Sequence, residues 1–416
     1  MTCKLFSNAR IYTPRDRGRP AAGSAQGLLA HFNPGVLLVE NGQIVAIGQA
    51  DEMAGIITSR QVDQEIDCNG RCLIPGFVDP HTHMCFAATR EAEFEMRLAG
   101  VPYLTILKRG GGILASVRAV AQASETALFE NTRRHALAAL RSGTTTLEIK
   151  SGYGLSTENE LKMLRVIGQV GRRLPLDVVP TFLGAHAVPE TFKGRSEAFV
   201  EKVIQEMLPA VAAQGIARFC DVFCEEGVFS VDQGRRILTA AKGLGMGIKL
   251  HADEVNDLGG AALAAELSAI CADHLLAASD ANIARLAAAG VVANLLPATA
   301  YSLRRPYARA RSMIAAGLPV ALASDCNPGS SYTESMPFVI GLAVLQMELT
   351  PAEALTAATL NAAHALGLAH RVGSLAPGKQ ADFLLLEGDS PAILAYHAGV
   401  SPVTAVYKCG ENVFSL

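Results

Sequence analysis

Two histidines separated by one residue, His81 and His83, follow an apolar run in PGFVDPHTH. On an extended chain, residues i and i+2 point the same way, so both imidazoles can reach one metal ion. Alone, such a pair is weak. His251 and Asp325 lie far along the chain, each directly after another apolar, strand-like segment. Three imidazoles and a carboxylate form a borderline-hard donor set that suits zinc or iron and leaves a position for water. Other polar residues fall at comparable places: Lys150, Gly152 and Tyr153; His186; Glu225 and Glu226; Glu254; Asp273 and His274; Asn327. Five of the ten histidines sit at such ends, whereas His31, His135, His364, His370 and His397 are scattered and read as ordinary core or surface residues. Cys85 and Cys326 adjoin these positions and read as small apolar packing.

The elements that must hold these groups alternate. Eight strand candidates are Leu73–Val78, Thr144–Lys150, Asp177–Phe182, Ala217–Phe223, Gly247–Leu250, Ala269–Ala272, Val291–Leu296 and Val320–Ala323. Helical patterns such as TENELKMLRVIGQVGRRL and VDQGRRILTAAKGLG lie between them. Eight strand–helix units predict an α/β fold of the (β/α)8 TIM-barrel kind, whose chemistry gathers past the C-terminal strand ends. A doubly wound open sheet is the alternative, and the absence of a GxGxxG turn counts against it. Both chain ends read as short strands: LFSNARIY, GVLLVENGQIVAIG and QEIDCNGRCLIPG at one end, ADFLLLEG and AVYKCGENVFSL at the other. They predict a small β-sandwich domain built from residues 1–72 and 364–416, flanking a barrel over residues 73–363. Pro14–Gly27 reads as a polar loop. KRGGG (Lys108–Gly112) lacks the GxxxxGK[ST] phosphate pattern and reads as a flexible loop over the site.

With 416 residues, half of them hydrophobic and only 18% charged, the chain can bury a large core. A net charge of −3 offers no field for nucleic acid. The nine cysteines are odd in number and form no CxxC pair, which argues against a disulfide framework and fits a reducing cytoplasm. The first residues show no signal-peptide pattern, and no apolar run reads as a membrane span.

The set PGFVDPHTH, HADE, ADH, ASDCNPGSS and GSLAPGKQADFLLL resembles the amidohydrolase superfamily. The longer stretches REAEFEMRLAG, KRGGGILASV, TLEIKSGYGL, TFLGAHAVP, DVFCEEGVFS and NPGSSYTESMP are similar to its branch that opens the imidazolone ring in histidine degradation. The resemblance implies a barrel with a flanking β-sandwich, a small-molecule substrate, a homodimer, and one zinc or iron ion per subunit on His81, His83, His251 and Asp325. It implies that Arg90, Tyr153 and His186, helped by Tyr103, hold the substrate, that Glu254 lies beside the attacking water, and that Asn327, Gly329 and Ser330 contact the ring-opened product. Ser324, Cys326 and Tyr332 stand where many relatives would have threonine, phenylalanine and proline, differences that bear on substrate affinity rather than reaction type.

The implied reaction turns 4-imidazolone-5-propanoate into N-formimidoyl-L-glutamate. A metal can bring the pKa of water from about 15.7 toward about 7. Asp325 or Glu254 could carry the proton, with Glu254 the better shuttle if it is not a ligand. His274 could orient the water or donate to the oxyanion, and Arg90 suits the propanoate carboxylate through a two-pronged contact. A carbamylated Lys150 bridging two metals is disfavoured, since such lysines come from a different strand. Two rivals stand beside this reading. A guanine or cytosine aminohydrolase shares the HxxE of His251–Glu254 but has no use for Arg90, and a scaffold that had lost catalysis would show gaps in the donor and acid/base set.

Overall fold

The computed structural model describes residues 2–102, 105–106 and 109–416. The N-terminal strands are β1 (Cys3–Pro14), β2 (Leu29–Glu40), β3 (Gln43–Gln49), β4 (Gln64–Asp67) and β5 (Cys72–Pro75). Then come β6 (Phe77–Asp79), β7 (Thr144–Lys150), β8 (Asp177–Ala185), β9 (Phe219–Cys224), β10 (Gly247–Ala252), β11 (Cys271–His274), β12 (Val292–Leu295) and β13 (Val320–Leu322). The chain ends with β14 (Phe383–Leu386), β15 (Val403–Lys408) and β16 (Glu411–Ser415).

Strands β6 to β13 lie side by side in chain order, every neighbour parallel, with helices on the connections. Seven of the eight expected barrel strands are present with ends shifted by at most three residues, and only the second half of the first, Leu73–Val78, belongs to the barrel. The first and last strands join just beyond their named ends. Asp325 N–H donates to His81 C=O at 3.1 Å, and His83 N–H donates to Cys326 C=O at 2.9 Å. The backbone that closes the barrel therefore carries three of the four expected metal ligands.

Both chain ends build one mixed sheet in the order β16-β15-β14-β5-β1-β2-β3, with β4 paired to β1. It folds back on itself, since Ile44 in β3 exchanges backbone hydrogen bonds with Gly378 and Lys379 just ahead of β14. Inside it, Phe6 packs edge-on against Phe383 and Tyr407, with ring centroids 4.7 and 5.1 Å away. Such edge-to-face pairs add roughly 0.5–1.5 kcal/mol beyond their area burial.

Two local readings change. The run Leu73–Val78 is not one strand: β5 pairs with β1 and β14 in the terminal sheet, and β6 opens the barrel. The chain changes sheet at Gly76, where a Cβ would run into the Thr145 side chain. Both halves of the run are fully buried, so hydrophobicity carries no sign of the changeover. The helix Ala50–Thr58 went unread in the sequence; its Met53 packs against Cys3, Leu5, Val36 and Leu38 on the terminal sheet. Among the described residues, no helix is long and apolar enough to cross a membrane.

Candidate active site

At the C-terminal mouth of the barrel, four side chains converge. His81 Nε2 lies 3.2 Å from His83 Nε2, and His83 Nε2 lies 3.3 Å from His251 Nε2. Asp325 Oδ1 lies 3.4 Å from His81 Nε2 and 3.5 Å from His83 Nε2. Two donors each about 2.0–2.1 Å from one ion, at a near-tetrahedral angle, stand about 3.3–3.4 Å apart. The four contacts, at 3.2–3.5 Å, lie near that spacing, and His81 joins two close groups, one with His83 and His251 and one with His274 and Asp325. The side chains are at most 3% exposed. Burial, followed by neighbouring positive groups, pushes His81 and His83 well below the usual imidazole range. Asp273 Oδ2 accepts from His81 Nδ1, which places that ring's proton there and turns its Nε2 lone pair inward, while Asp221 Oδ2 lies 3.0 Å from His251 Nδ1 off the line of a hydrogen bond. Lone pairs crowded this closely in a dry pocket repel unless a cation sits among them, so the residues fit a divalent metal. Burial raises Asp325 to about 6, while His274 and a hydrogen bond from Thr299 Oγ1 at 2.6 Å act in the opposite sense.

Behind the histidines lies an ionic cluster that no solvent reaches. Asp273 Oδ2 accepts from His81 Nδ1 at 2.6 Å, and its Oδ1 accepts from Asn294 at 2.8 Å. Asp221 Oδ2 stands 3.0 Å from His251 Nδ1. Lys150 Nζ reaches Glu148 at 2.7 Å, Asp221 at 2.8 Å and Asp273 at 3.6 Å. Lys249 Nζ bonds Glu148 at 2.7 Å and Pro80 C=O at 2.8 Å. Buried charges persist only when paired like this. Burial opposes the charge on Lys150, but Asp221, Glu148 and Asp273 hold it well above the usual lysine range. Among three carboxylates an ammonium fits and an anionic carbamate does not, which agrees with setting the bridging role aside. Sequence reading marked Lys150 and Asp273 as strand-end residues without a role and passed over Glu148, Asp221 and Lys249. The signal was present: charged residues at alternate positions inside fully buried parallel strands must face the barrel interior.

The loops beside this cluster are stapled by carboxylates. Arg90 precedes the helix Glu91–Leu98 and is no solvated charge, its side chain being 14% exposed. Its Nε and Nη2 donate to Glu93 at 3.0 and 2.6 Å, and Glu93 also accepts from Gly112 N–H at 3.1 Å. Its remaining Nη1 edge faces Gly329, where a Cβ would stand only 2.5 Å away. Tyr153 lies beside His83 and His186, and His186 stacks on His83 with centroids 4.9 Å apart. Burial, then His251, lowers His186 to about 3. Glu160, fully buried, holds this loop by accepting from the N–H groups of Gly152, Gly154 and Leu155 at 2.8–3.2 Å. His274 Nδ1 stands 3.7 Å from Glu254 Oε1, close to the metal donors. Glu225, which the sequence left without a role, accepts from Val255 N–H at 2.9 Å and Asn256 Nδ2 at 3.0 Å, fixing the segment that follows Glu254. The Asn327 amide organises its own loop: Nδ2 donates to Asp325 C=O at 2.7 Å, and Oδ1 accepts from the N–H groups of Gly329 and Ser330, each at 2.8 Å. His274 and Asp325 have φ of 75° and 53°, left-handed values that are uncommon for non-glycine residues and gather at functional sites. Tyr103 and Lys108 lie outside the described residues.

Comparison with known proteins adds three findings. The profile of the amidohydrolase family matches residues 72–413. The imidazolonepropionase of Desulfotalea psychrophila is 64% identical over 413 residues, covering 99% of this chain and 100% of the relative. That of Syntrophobacter fumaroxidans is 63% identical over 408 residues, covering 98% and 96%. Among solved structures, the chain resembles Escherichia coli guanine deaminase, with a TM-score of 0.73, 15% identity and complete coverage of both chains. It also resembles a zinc-bound adenosine deaminase from Xanthomonas campestris, with a TM-score of 0.70, 20% identity and coverage of 99% and 93%. At these identities the structural likeness speaks for the fold alone.

Proposed function

The chain belongs to the amidohydrolase family, and from that premise we propose that it hydrolyses 4-imidazolone-5-propanoate to N-formimidoyl-L-glutamate, a step in the breakdown of histidine to glutamate. The observation that carries this is the high identity, over nearly the whole chain, to relatives named for that activity. The barrel mouth supports it, because the loops there carry a metal-donor set, an acid/base pair and a guanidinium suited to a carboxylate tail.

The division of labour follows from position. His81, His83, His251 and Asp325 hold the metal, zinc or iron, one per subunit. When bound, it supplies Lewis acidity to the water and the ring carbonyl. Arg90 grips the propanoate through its Nη1 edge while Glu93 holds the other edge, and Tyr153 and His186 flank the ring. Glu254 takes a proton from the water as it adds to the ring carbonyl carbon, and returns it to the ring nitrogen as that carbon–nitrogen bond breaks. His274 donates to the oxygen that gains charge. Asn327, Gly329 and Ser330 shape the wall on which the opened product rests.

We place the enzyme in the cytoplasm, a reading supported by free cysteines of which all but Cys409 are buried. We assign it a homodimeric state. The deaminase alternative gives the Nη1 edge of Arg90, the one Glu93 does not hold, no anionic partner, since a nucleobase has no anionic tail. Incubation with 4-imidazolone-5-propanoate, guanine and cytosine, followed by mass spectrometry and ammonia assay, tests the choice. Formimidoylglutamate without ammonia from the bases is expected; ammonia from guanine would overturn the assignment.

A further inference from the structure

We propose that the Lys150 ammonium is a built-in cation that positions two metal ligands from behind, so that the metal affinity of the site depends on it. This rests on the ligand assignment above. Asp221, His251 and Asp273 present donor atoms within 4.8 Å of one another, all buried, a grouping that could itself hold a cation. Lys150 Nζ already reaches into it, 2.8 Å from Asp221 and 3.6 Å from Asp273. Each of these carboxylates faces the outer nitrogen of one ligand, Asp221 that of His251 and Asp273 that of His81, at 3.0 and 2.6 Å. One ammonium is thereby tied to both imidazoles through one carboxylate apiece.

Nothing else in the cluster can substitute for it. Lys249 reaches Glu148 and the Pro80 carbonyl. Asp273 keeps Asn294 as a second partner, but Asp221 Oδ1 is buried with no hydrogen bond among the described residues. Among the described residues, the one hydrogen bond that holds Asp221 comes from Lys150, and His251 Nδ1 approaches the same oxygen to 3.0 Å. Without Lys150 it loses the group that holds it beside His251, and the imidazole loses the negative charge 3.0 Å from its outer nitrogen. Lys150 touches neither the metal donors' inner nitrogens nor the substrate pocket, so it is a positioning residue.

The test is zinc binding to metal-stripped protein, measured by competition with a chromophoric chelator. The variants are K150M, K150Q, D221N and K150M/D221N, with the unfolding midpoint of each metal-free protein as a control for folding. Loss of an outer partner of a ligating histidine typically costs about 10–100-fold in metal affinity. K150M is expected to fall in that range. K150Q is the companion, polar enough to stay folded if K150M does not, and is expected to weaken binding likewise. Asp273 keeps Asn294 and His81 when Lys150 is lost, so most of the effect passes through Asp221, and the double variant should bind zinc within about threefold of D221N alone. Wild-type affinity in a folded K150M or K150Q would overturn the proposal, as would losses that multiply in the double variant. H251A separates this from the ligand assignment: if H251A keeps wild-type zinc affinity, the assignment itself has failed.

Discussion

Gly329 is the position where adding one carbon tests the substrate anchor. An alanine Cβ there would stand 2.5 Å from Arg90 Nη1 and 3.1 Å from its Cζ. Ordinary contacts begin near 3.5 Å, so the guanidinium must retreat by about 1 Å. It cannot do so freely, because Nε and Nη2 are held by Glu93 at 3.0 and 2.6 Å. Breaking one charge-assisted bond costs about 1.5–3 kcal/mol, which is about 10–100-fold in an equilibrium. The Gly329 backbone is not left-handed, so alanine adds the contact without backbone strain. G329A is expected to lower kcat/KM by about 10–100-fold, mostly through KM, since a tail anchor acts alike in ground and transition states. Initial rates followed by imidazolone absorbance give the split, and R90A should lose at least as much. An unchanged KM in G329A would refute the placement of the propanoate at Arg90.

Three further outcomes follow from the same geometry. E160A removes the acceptor for three buried N–H groups at Gly152, Gly154 and Leu155 and should lower stability by about 3 kcal/mol; urea unfolding checks this, together with a raised KM as the Tyr153 loop loosens. Burial pushes the Cys85 and Cys224 thiols up to about 12, leaving them protonated and shielded at pH 8, whereas Cys409 is exposed. A thiol reagent at pH 8 should therefore label Cys409 first and leave turnover intact, and rapid inactivation through Cys85 or Cys326 would contradict the packing. Chelation should abolish turnover and lower the unfolding midpoint, because an ion at about 1,000 times its Kd stabilises the native state by about 4 kcal/mol; zinc added back should restore both, and an unchanged midpoint would speak against the donor set.

The sequence made the site's front legible and its back obscure. His81 and His83 could be read together because a two-residue period puts both on one side of a strand. His251, His274 and Asp325 were readable as polar breaks at the ends of apolar runs. The cluster behind them was hidden because its partners come from separate strands: Glu148 and Lys150 sit on β7, Asp221 on β9 and Asp273 on β11. No local pattern states that such residues meet. Arg90 was legible as a cation near the site, but its pairing with Glu93 three residues on resembled ordinary helix-surface charge. Gly76 hid a change of sheet inside a continuous apolar run, since burial on both sides of it erases the alternation that would mark a face.

The central claim is metal-dependent opening of the imidazolone ring on His81, His83, His251 and Asp325. The most direct test follows the absorbance of freshly made 4-imidazolone-5-propanoate with metal-analysed wild-type protein, the chelated protein and H251A side by side. The account predicts loss of the imidazolone band and formation of formimidoylglutamate with the metal-loaded wild type alone. A persistent band with fully loaded wild type, or equal turnover by H251A, would contradict it.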